Sequence, residues 1–460
     1  MKLKVPESIQ KLIEKFQNAG FEIYIVGGGV RDLLVERPVK DWDFTTNATP
    51  EDILSLFPDA FYDNKFGTVG IPLDNQIHEV TTFRREIGYS DKRHPDKVVW
   101  GETLEEDLSR RDFTINAIAL RYAQGKPYTA DQGKPSTLVG VDSFELIDPF
   151  GGQKDLKEKI IRAVGDPEKR FREDALRMIR AIRIATELGF VIESKTFQAI
   201  KDNASLINQI AKERIRDELL RILQTDYPAD GIAFLLSTGL LEEVIPELVR
   251  AYGVAQAKHH IYDVWTHSLL SLKNCPSKDP IVRMATLLHD IGKPVVVKGI
   301  GEARTFYNHE VIGASIAANL ADRLRLSNKQ KEKLVTLIRW HQFTVDERQT
   351  DSAIRRFIKN VGKENLQDML DLRVGDRLGG GARETSWRLE KFKKRLEEVQ
   401  KQPFSVTDLK VNGSDVMEVL NIPGGPKVGQ ILNQLFLEIV EDQKKNEREY
   451  LLKRIKEIFD

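Results

Sequence analysis

Two carboxylates, Asp41 and Asp43, follow a glycine run and an arginine in the segment YIVGGGVRDLLVERPVKDWDF. The glycines, Gly28 among them, come directly after an apolar strand, so backbone amides and the next helix start can approach an anion that Arg31 reaches. Alternation along a strand places Asp41 and Asp43 on one face. Such a pair can hold Mg²⁺ ions about 3.5 to 4 Å apart, as in phosphoryl transfer. The segment therefore predicts a triphosphate site beside a metal-binding carboxylate pair.

A third carboxylate, Glu79, lies in the apolar-flanked strand IHEVTTF and is a candidate to assist the first two. A glycine run alone is typical of a tight turn, and an isolated Asp-x-Asp is typical of a solvated strand edge. Strand, glycines, arginine and then Asp-x-Asp followed by Phe is a rarer order, so the features strengthen one another.

This order resembles the first motif of the DNA polymerase β-type nucleotidyltransferases, specifically the class II tRNA nucleotidyltransferase (CCA-adding enzyme) and bacterial poly(A) polymerase family. The stretch DLSRRDFTINAIAL resembles the family's second signature. The resemblance implies that Arg111 and Asp112 hold the phosphates and ribose of the nucleotide. Without the first motif, a salt bridge between Asp112 and Arg110 or Arg111 would be the simpler interpretation.

The stretch FREDALRMIRAIRIA resembles the EDxxR helix of the same family. Asp174 and Arg177 are three residues apart and are expected on one helix face, with Arg180 and Arg183 continuing the row. Such a pair can offer one acceptor and a fork of donors to a base edge. The resemblance implies that the pair reads the incoming C or A and that the later arginines meet phosphate. The alternative is an ordinary intrahelical ion pair, worth about 0.3 to 0.5 kcal/mol.

Three further segments extend the resemblance. KERIRDEL resembles a helical signature that packs the neck, and we expect a structural role for it. DLKVNGSDVMEVLNIPGGPKVGQIL resembles the C-terminal helical region that holds tRNA. The connector EIGYSDKRHPDKVVWGETLEEDL has its full length, whereas relatives that add only CC have it shortened or altered. The connector therefore favours an enzyme that can add the terminal A.

Six of the 8 histidines lie between residues 259 and 341. The runs VWTHSLL, ATLLHDIGKP, FYNHEVIGASIA and LIRWHQF resemble the HD metal-dependent phosphohydrolase superfamily. The resemblance implies a metal site whose ligands are His267, His289, Asp290 and the distal Asp376, extended by His309 and His341 toward two metals. Imidazoles with a carboxylate suit Mn²⁺, Ni²⁺ or Co²⁺ better than Mg²⁺. The alternative is an inherited helical scaffold in which the histidines, including His259 and His260, only cap or pack.

The elements that must position these residues change character along the chain. β-rich runs between residues 20 and 120 predict a sheet, and apolar spacings of three and four from about Gly165 onward predict helices. The predicted fold class is α+β: a polymerase β-like head on a small mixed sheet, then an all-α neck, body, HD domain and tail. The predicted domains are a head (1–148), a neck and nucleotide-binding body (149–245), an HD domain (246–380) and a tRNA-binding tail (381–460).

Composition excludes several classes of protein. The 460 residues contain 70 basic and 70 acidic side chains, and no stretch approaches the ~18 apolar residues of a membrane span. The start, MKLKVPESIQKLIEKF, has helical apolar spacing and is unlike a signal peptide. The single cysteine, Cys275, permits neither an internal disulfide nor a cysteine-based zinc site, which favours the cytoplasm. Zero net charge means that a nucleic-acid site must be local.

The resemblance implies an enzyme that adds C and A from CTP and ATP to the 3′ end of tRNA with Mg²⁺. A poly(A) polymerase or an A-adding enzyme of the same family is the nearest alternative. An HD phosphohydrolase whose head only binds RNA is an alternative of another class, which the presence of both Asp41 and Asp43 disfavours. Neither a membrane nor an obligate protein partner is expected.

Overall fold

A computed structural model describes residues 5–62, 67–87, 97–100, 103–122, 137–138, 144–256, 261–343, 345–346, 349–400 and 406–459. The chain divides into two compact units, Met1–Pro246 and Glu247–Asp460. The finer division into four domains stays a prediction. His259, His260 and much of the connector before Asp107 lie outside the described residues.

The first unit opens with a sheet and short helices. Its strands are β1 (Ile23–Val26), β2 (Asp43–Thr46), β3 (Phe61–Tyr62), β4 (Thr68–Leu73), β5 (Gln76–Thr82), β6 (Arg84–Ile87), β7 (Lys97–Trp100), β8 (Ala119–Tyr122), β9 (Thr137–Leu138) and β10 (Phe144–Ile147). The helices among them are α1 (Glu7–Asn18), α2 (Gly28–Leu34), α3 (Pro50–Leu56), α4 (Leu104–Ser109) and α5 (Gly152–Glu158).

Eight strands form one mixed sheet in the order β3-β4-β5-β2-β1-β8-β10-β9, and β6 pairs with β7 in a separate two-stranded sheet. The pair β2 and β5 runs parallel, with Phe44 opposite Val80, while the other pairs in the sheet are antiparallel. Parallel pairing therefore brings the start of β2, which carries Asp43, beside the Glu79 position of β5. The predicted α+β head is confirmed, on a sheet larger than expected.

The core of the head explains why its elements form. β1 is buried along its whole length, and Tyr24 and Val26 pack with Phe83 and Leu108 in one apolar cluster. α1 buries its apolar stripe, as its spacing predicts, so Phe16 is fully covered. These contacts fix the end of β1, where the glycine run begins.

Helices dominate the rest of the first unit. They are α6 (Pro167–Glu173), α7 (Leu176–Leu188), α8 (Ser194–Asn203), α9 (Lys212–Gln224), α10 (Pro228–Ser237) and α11 (Leu240–Val244), and the two-residue strands β11 (Ile160–Ile161) and β12 (Val191–Ile192) pair in parallel. The prediction of one continuous helix over Phe171–Ala185 is wrong, because the chain leaves the helical region at Asp174, where φ is −140° and ψ is 105°.

The second unit consists of helices, with short 3₁₀ turns between some of them, in its described residues. After α12 (Pro246–Val249), which begins at the boundary, they are α13 (Val264–Lys273), α14 (Pro280–Leu288), α15 (Lys293–Val296), α16 (His309–Arg323), α17 (Asn328–Trp340), α18 (Asp351–Val361), α19 (Leu366–Gly379), α20 (Trp387–Gln400), α21 (Gly413–Leu420), α22 (Pro426–Glu441) and α23 (Arg448–Phe459). The predicted helical character of this region is confirmed. Over the described parts of the chain, no helix has both the length and the apolar character needed to cross a bilayer.

Candidate active site and metal centre

The glycine run forms the predicted turn from strand to helix. Gly27 has φ 77°, which a residue with a Cβ rarely adopts, and it is followed at once by α2. A Cβ on Gly29 would lie 2.9 Å from the backbone oxygen of Asp41, so glycine lets the two segments approach closely. A Cβ on Gly27 would lie 3.2 Å from both Asp43 Oδ2 and Arg111 Nη1, which places those two groups against the turn.

The carboxylates Asp41 and Asp43 line one cavity of about 490 Å³, together with Gly28, Arg31 and Arg183. Asp43 begins β2 and is partly buried, whereas Asp41 is exposed two residues earlier. Burial, reinforced by the Asp41 charge and opposed by Arg111, raises the pKa of Asp43. A carboxylate pair in this environment suits a hard cation with oxygen ligands, so the residues fit Mg²⁺.

Glu79 occupies an exposed position on β5, next to the start of β2. It is not among the residues that line the cavity. Its contribution as a third carboxylate stays a prediction.

A buried hydrogen-bond chain joins the first motif to the second. Arg31 is 6% exposed; its Nε donates to Asp32 at 2.9 Å, and its Nη1 donates to Asn116 Oδ1 at 3.0 Å. Asn116 Nδ2 in turn donates to Asp112 Oδ1 at 3.0 Å. Sequence reasoning missed Asn116, although it lies inside the second signature. These hydrogen bonds hold the Arg31 and Asp112 side chains in fixed orientations.

Arg111 is held by Asp107, a second residue that sequence reasoning missed. Asp107 is fully buried and forms ion pairs with Arg110 at 2.6 Å and Arg111 at 3.3 Å. Burial is the largest influence on the pKa of Asp107 and would raise it, but the two arginines outweigh it and lower the pKa. Arg111 does not pair with Asp112, so the simpler salt-bridge interpretation of this stretch does not hold for these two residues.

Asp112 instead pairs with Arg180 of α7, at 2.9 Å. Burial would raise the pKa of Asp112, but Arg180 and the Asn116 hydrogen bond lower it. Arg183, one turn further along α7, pairs with Glu218 at 2.6 Å and Glu187 at 3.0 Å. The row of arginines is thus anchored to acidic partners, and Arg180 links α7 to the second signature.

Asp174 and Arg177 do not share a helix face, contrary to prediction. Asp174 lies between α6 and α7, where its Oδ1 accepts from the Leu176 amide at 3.0 Å and its Oδ2 lies 3.0 Å from Arg214. A side chain that satisfies a free amide at a helix start favours an interruption over a continuous helix.

Arg177 is directed by a different set of partners. It pairs with Glu173 at 2.8 Å, and its Nη2 donates to the Arg110 backbone oxygen at 3.1 Å. The Asp174–Arg177 ion pair, the alternative interpretation of this stretch, is absent among the described contacts. Because Arg214 and Glu218 lie in KERIRDEL, that segment supplies partners to α7 and the preceding turn, which agrees with a structural role for it.

In the second unit, four histidines and two aspartates come together. His267 Nε2 lies 3.1 Å from both His289 Nε2 and Asp376 Oδ1, and His309 Nε2 lies 3.3 Å from His341 Nε2. Asp290 lies between these pairs: Oδ2 is 3.3 Å from His289, whereas Oδ1 is 3.2 Å from His309. These side chains form two buried groups of possible metal ligands. The first group contains His267, His289 and Asp290; the second contains Asp290, His309 and His341, so Asp290 belongs to both.

Hydrogen bonds from the other ring nitrogen orient three of these imidazoles. Nδ1 of His289, His309 and His341 lies 2.7, 2.8 and 2.7 Å from the backbone oxygen three residues earlier in the chain. An Nδ1–H that donates to a carbonyl fixes the orientation of the ring and leaves the Nε2 lone pair free to bind metal. The donor set of imidazole nitrogens and carboxylate oxygens fits a transition metal such as Mn²⁺, Ni²⁺ or Co²⁺.

Close helix contacts at glycines bring these ligands together. A Cβ on Gly379 of α19 would lie 2.2 Å from Ser271 Oγ of α13, so α19 and α13 approach closely enough for Asp376 to meet His267. A Cβ on Gly292 would lie 2.2 Å from the His309 backbone oxygen. These contacts depend on the absence of side chains at both glycines.

The cluster is electrostatically asymmetric. Burial is the largest influence on His289 and would lower its pKa, but Asp290 and Asp376 raise it to about 10. Burial and the neighbouring His289 lower the pKa of His341 to about 3. Lys293 Nζ lies 2.6 Å from Asp290 Oδ2 and donates to Gln256 at 2.6 Å, so a buried ammonium neighbours the shared carboxylate.

Comparison with known proteins defines the class. The chain is a nucleotidyltransferase. The family model of the "Poly A polymerase head domain" matches residues 23–162, that of the "Probable RNA and SrmB- binding site of polymerase A" matches residues 189–252, and that of "tRNA nucleotidyltransferase domain 2" matches residues 312–455.

The chain belongs to the CCA-adding enzyme family. It is 31% identical to a CCA-adding enzyme of Pediococcus pentosaceus over 98% of both chains. It is 44% identical to one of Lactobacillus helveticus over 52% of this chain and 56% of that protein.

Solved structures agree with this assignment. The CCA-adding enzyme of Bacillus stearothermophilus in complex with CTP matches with a TM-score of 0.70 and 29% identity, covering 98% of this chain and 97% of that one. The Thermotoga maritima enzyme complexed with tRNA shares the fold, with a TM-score of 0.59 and 20% identity over 99% and 97% of the two chains. Members of this family are metal-dependent enzymes, in keeping with the carboxylate pair in the cavity.

Proposed function

We propose that this chain adds C and A from CTP and ATP to the 3′ end of tRNA, to complete or repair the CCA terminus. The observation that carries the proposal is the cavity in which Asp41, Asp43 and Arg31 meet at the glycine turn. Relatives solved with CTP and with tRNA support these substrates. A tRNA substrate also supports a cytoplasmic location.

The carboxylates and the arginines of the site have different proposed roles, which follow from their charges. Asp41 and Asp43, with Glu79 beside them, would hold Mg²⁺, which supplies charge stabilisation for displacement at the α-phosphate. Asp32 and Asn116 hold Arg31, and Asp107 holds Arg111. Because both arginines are already ordered, binding of phosphates costs little additional side-chain entropy. Gly28 lets the chain approach the triphosphate closely.

The remaining side chains would select the nucleotide. The buried Asp112 pairs with the partly exposed Arg180 beside Asn116, and we assign both to the ribose and phosphates. Asp174 and Arg177 would read the base edge, each from its own anchored position, and Arg183 would meet phosphate. The RNA 3′-hydroxyl attacks the α-phosphate, and pyrophosphate leaves.

One assay separates CCA addition from its alternatives. Purified protein is incubated with tRNA lacking A, lacking CA or lacking CCA, with each labelled nucleotide supplied in turn, and products are read at single-nucleotide resolution. We expect C, C and A to be added in order and addition to stop. Extension by A alone would indicate an A-adding enzyme, and long A tracts would indicate a poly(A) polymerase.

A second activity is proposed for the histidine cluster of the second unit: metal-dependent hydrolysis of phosphoesters. The two buried ligand groups that share Asp290 favour this function over a structural scaffold. Substrates to assay are a 2′,3′-cyclic phosphate and a 2′-nucleotide, with Mn²⁺, Ni²⁺ or Co²⁺. The double variant His289→Ala, Asp290→Ala should lose this activity and keep nucleotide addition. Absence of both tightly bound metal and phosphoesterase activity in the wild type would leave the histidines as scaffold.

A further inference from the structure

The cavity that holds the catalytic carboxylates has a basic wall that the incoming nucleotide does not account for. Arg37 and Lys40 line it from the segment between α2 and β2, and Arg221 lines it from α9. Of its other basic lining residues, Arg31 and Arg183 are assigned above to the phosphates of the nucleotide, whereas Arg111, Arg177 and Arg180 do not line it. Two groups of basic side chains therefore serve one pair of carboxylates.

The basic wall is available to a ligand. Among the residues that the structure describes, neither Lys40 nor Arg221 has an ion-pair partner, and both are exposed. Arg37 Nη1 donates to the Glu187 backbone oxygen at 2.8 Å, a contact that fixes its position without neutralising its charge. The two other cations of the lining, Arg31 and Arg183, are those assigned above to the nucleotide's phosphates, and each pairs with a carboxylate: Asp32 at 2.8 Å and Glu187 at 3.0 Å.

The reaction needs a second polyanion at this place. A primer 3′-hydroxyl can attack only if its terminal nucleotides lie beside the carboxylates, and each of those nucleotides brings a phosphate. Single-stranded RNA is held chiefly through such phosphates by lysine and arginine. Five basic and five acidic side chains line the cavity, so a divalent metal on Asp41 and Asp43 would give it a net positive charge, which favours a phosphodiester chain.

We propose that Arg37, Lys40 and Arg221 form the subsite that binds the phosphodiester backbone of the primer's 3′ end. They are positioning residues: they hold the attacking hydroxyl in place, while the nucleotide is bound by the arginines assigned above, which are Arg31, Arg111, Arg180 and Arg183. This inference rests on the proposed nucleotidyl transfer.

Steady-state kinetics test the proposal on the full-length protein. KM for tRNA ending in CC is measured with saturating ATP, and KM for ATP with saturating tRNA, for wild type, Arg221→Ala, Arg221→Lys and Arg37→Ala. We expect both alanine variants to raise KM for tRNA about tenfold, since each loses a charged hydrogen bond, with KM for ATP within about twofold of wild type. Arg221→Lys should recover part of the loss. Lys201→Ala, which removes an exposed cation of α8 outside the cavity lining, is the matched control.

Binding measurements distinguish the 3′ end from the body of the tRNA. Arg221→Ala should weaken binding of tRNA ending in CC but not of tRNA trimmed of its single-stranded end, and should reduce the salt-dependence slope by about 0.7. A raised KM for ATP alone would assign the wall to the triphosphate, and unchanged constants for both substrates would show that it is no substrate subsite; either overturns the proposal. Failure of the wild type to incorporate any nucleotide would instead reject the proposed function.

Discussion

Asn116 accepts a hydrogen bond from Arg31, with Nη1 at 3.0 Å from the amide oxygen, and both side chains are buried. The same amide donates to Asp112, so one neutral residue connects the glycine-turn motif to the second signature.

Asn116→Ala should therefore lower kcat/KM for CTP and ATP about tenfold or more, because Arg31 and Asp112 lose their common support. Affinity for tRNA should stay near the wild-type value. Asn18→Ala, at the exposed end of α1, is the control for an asparagine without such contacts. Wild-type kcat/KM in Asn116→Ala would show that Arg31 and Asp112 are positioned independently.

Asp107→Asn should lower the free energy of unfolding by about 2 kcal/mol or more at pH 7, since two arginines lose a buried partner. The effect should depend on pH in a defined direction. The pKa of Asp107 is lowered in the folded protein, so its ion pairs stabilise above the ordinary aspartate pKa of about 3.9 and lose this effect as pH falls through the folded value. Urea unfolding from pH 7 to pH 3 checks this: the difference between wild type and variant should shrink below about pH 4.

Asp174→Asn removes the charge that meets Arg214 but keeps an oxygen that can cap the Leu176 amide. We expect weaker discrimination of CTP and ATP against UTP and GTP, with little loss of stability. Arg177→Ala should weaken discrimination in the same way. Misincorporation assays with single nucleotides measure this. Full selectivity at reduced speed in both variants would mean that these residues position the substrate without reading it.

Gly292→Ala should destabilise the second unit by about 1 to 3 kcal/mol, because the new methyl group meets the His309 backbone. Bound transition metal should fall with it, since His309 and Asp290 would be displaced. Gly429→Ala in α22, where nothing lies within 4 Å of the new Cβ, should be neutral or slightly stabilising. Thermal unfolding and metal analysis of both variants provide the comparison.

The sequence allowed the strand, glycine turn and carboxylate pair to be predicted because they are local: all lie between Ile23 and Asp43. The break at Asp174 was missed because the flanking residues keep a helical period, while the reason for the break involves Arg214, forty residues away. The histidine site could be predicted because its histidines lie close together in the sequence. Their division into two groups depends on helix contacts at Gly292 and Gly379, which no spacing along the chain indicates.

The proposed function requires that Asp41 and Asp43 form the catalytic carboxylate pair. Its most direct test is incorporation of labelled ATP into tRNA ending in CC by Asp41→Asn and Asp43→Asn, with tRNA affinity measured in parallel. We expect each variant to lose incorporation by about 10³-fold or more, because the loss of metal-ion stabilisation costs several kcal/mol in the transition state, while tRNA binds within about twofold of wild type. Near-normal incorporation by both variants would contradict this catalytic role.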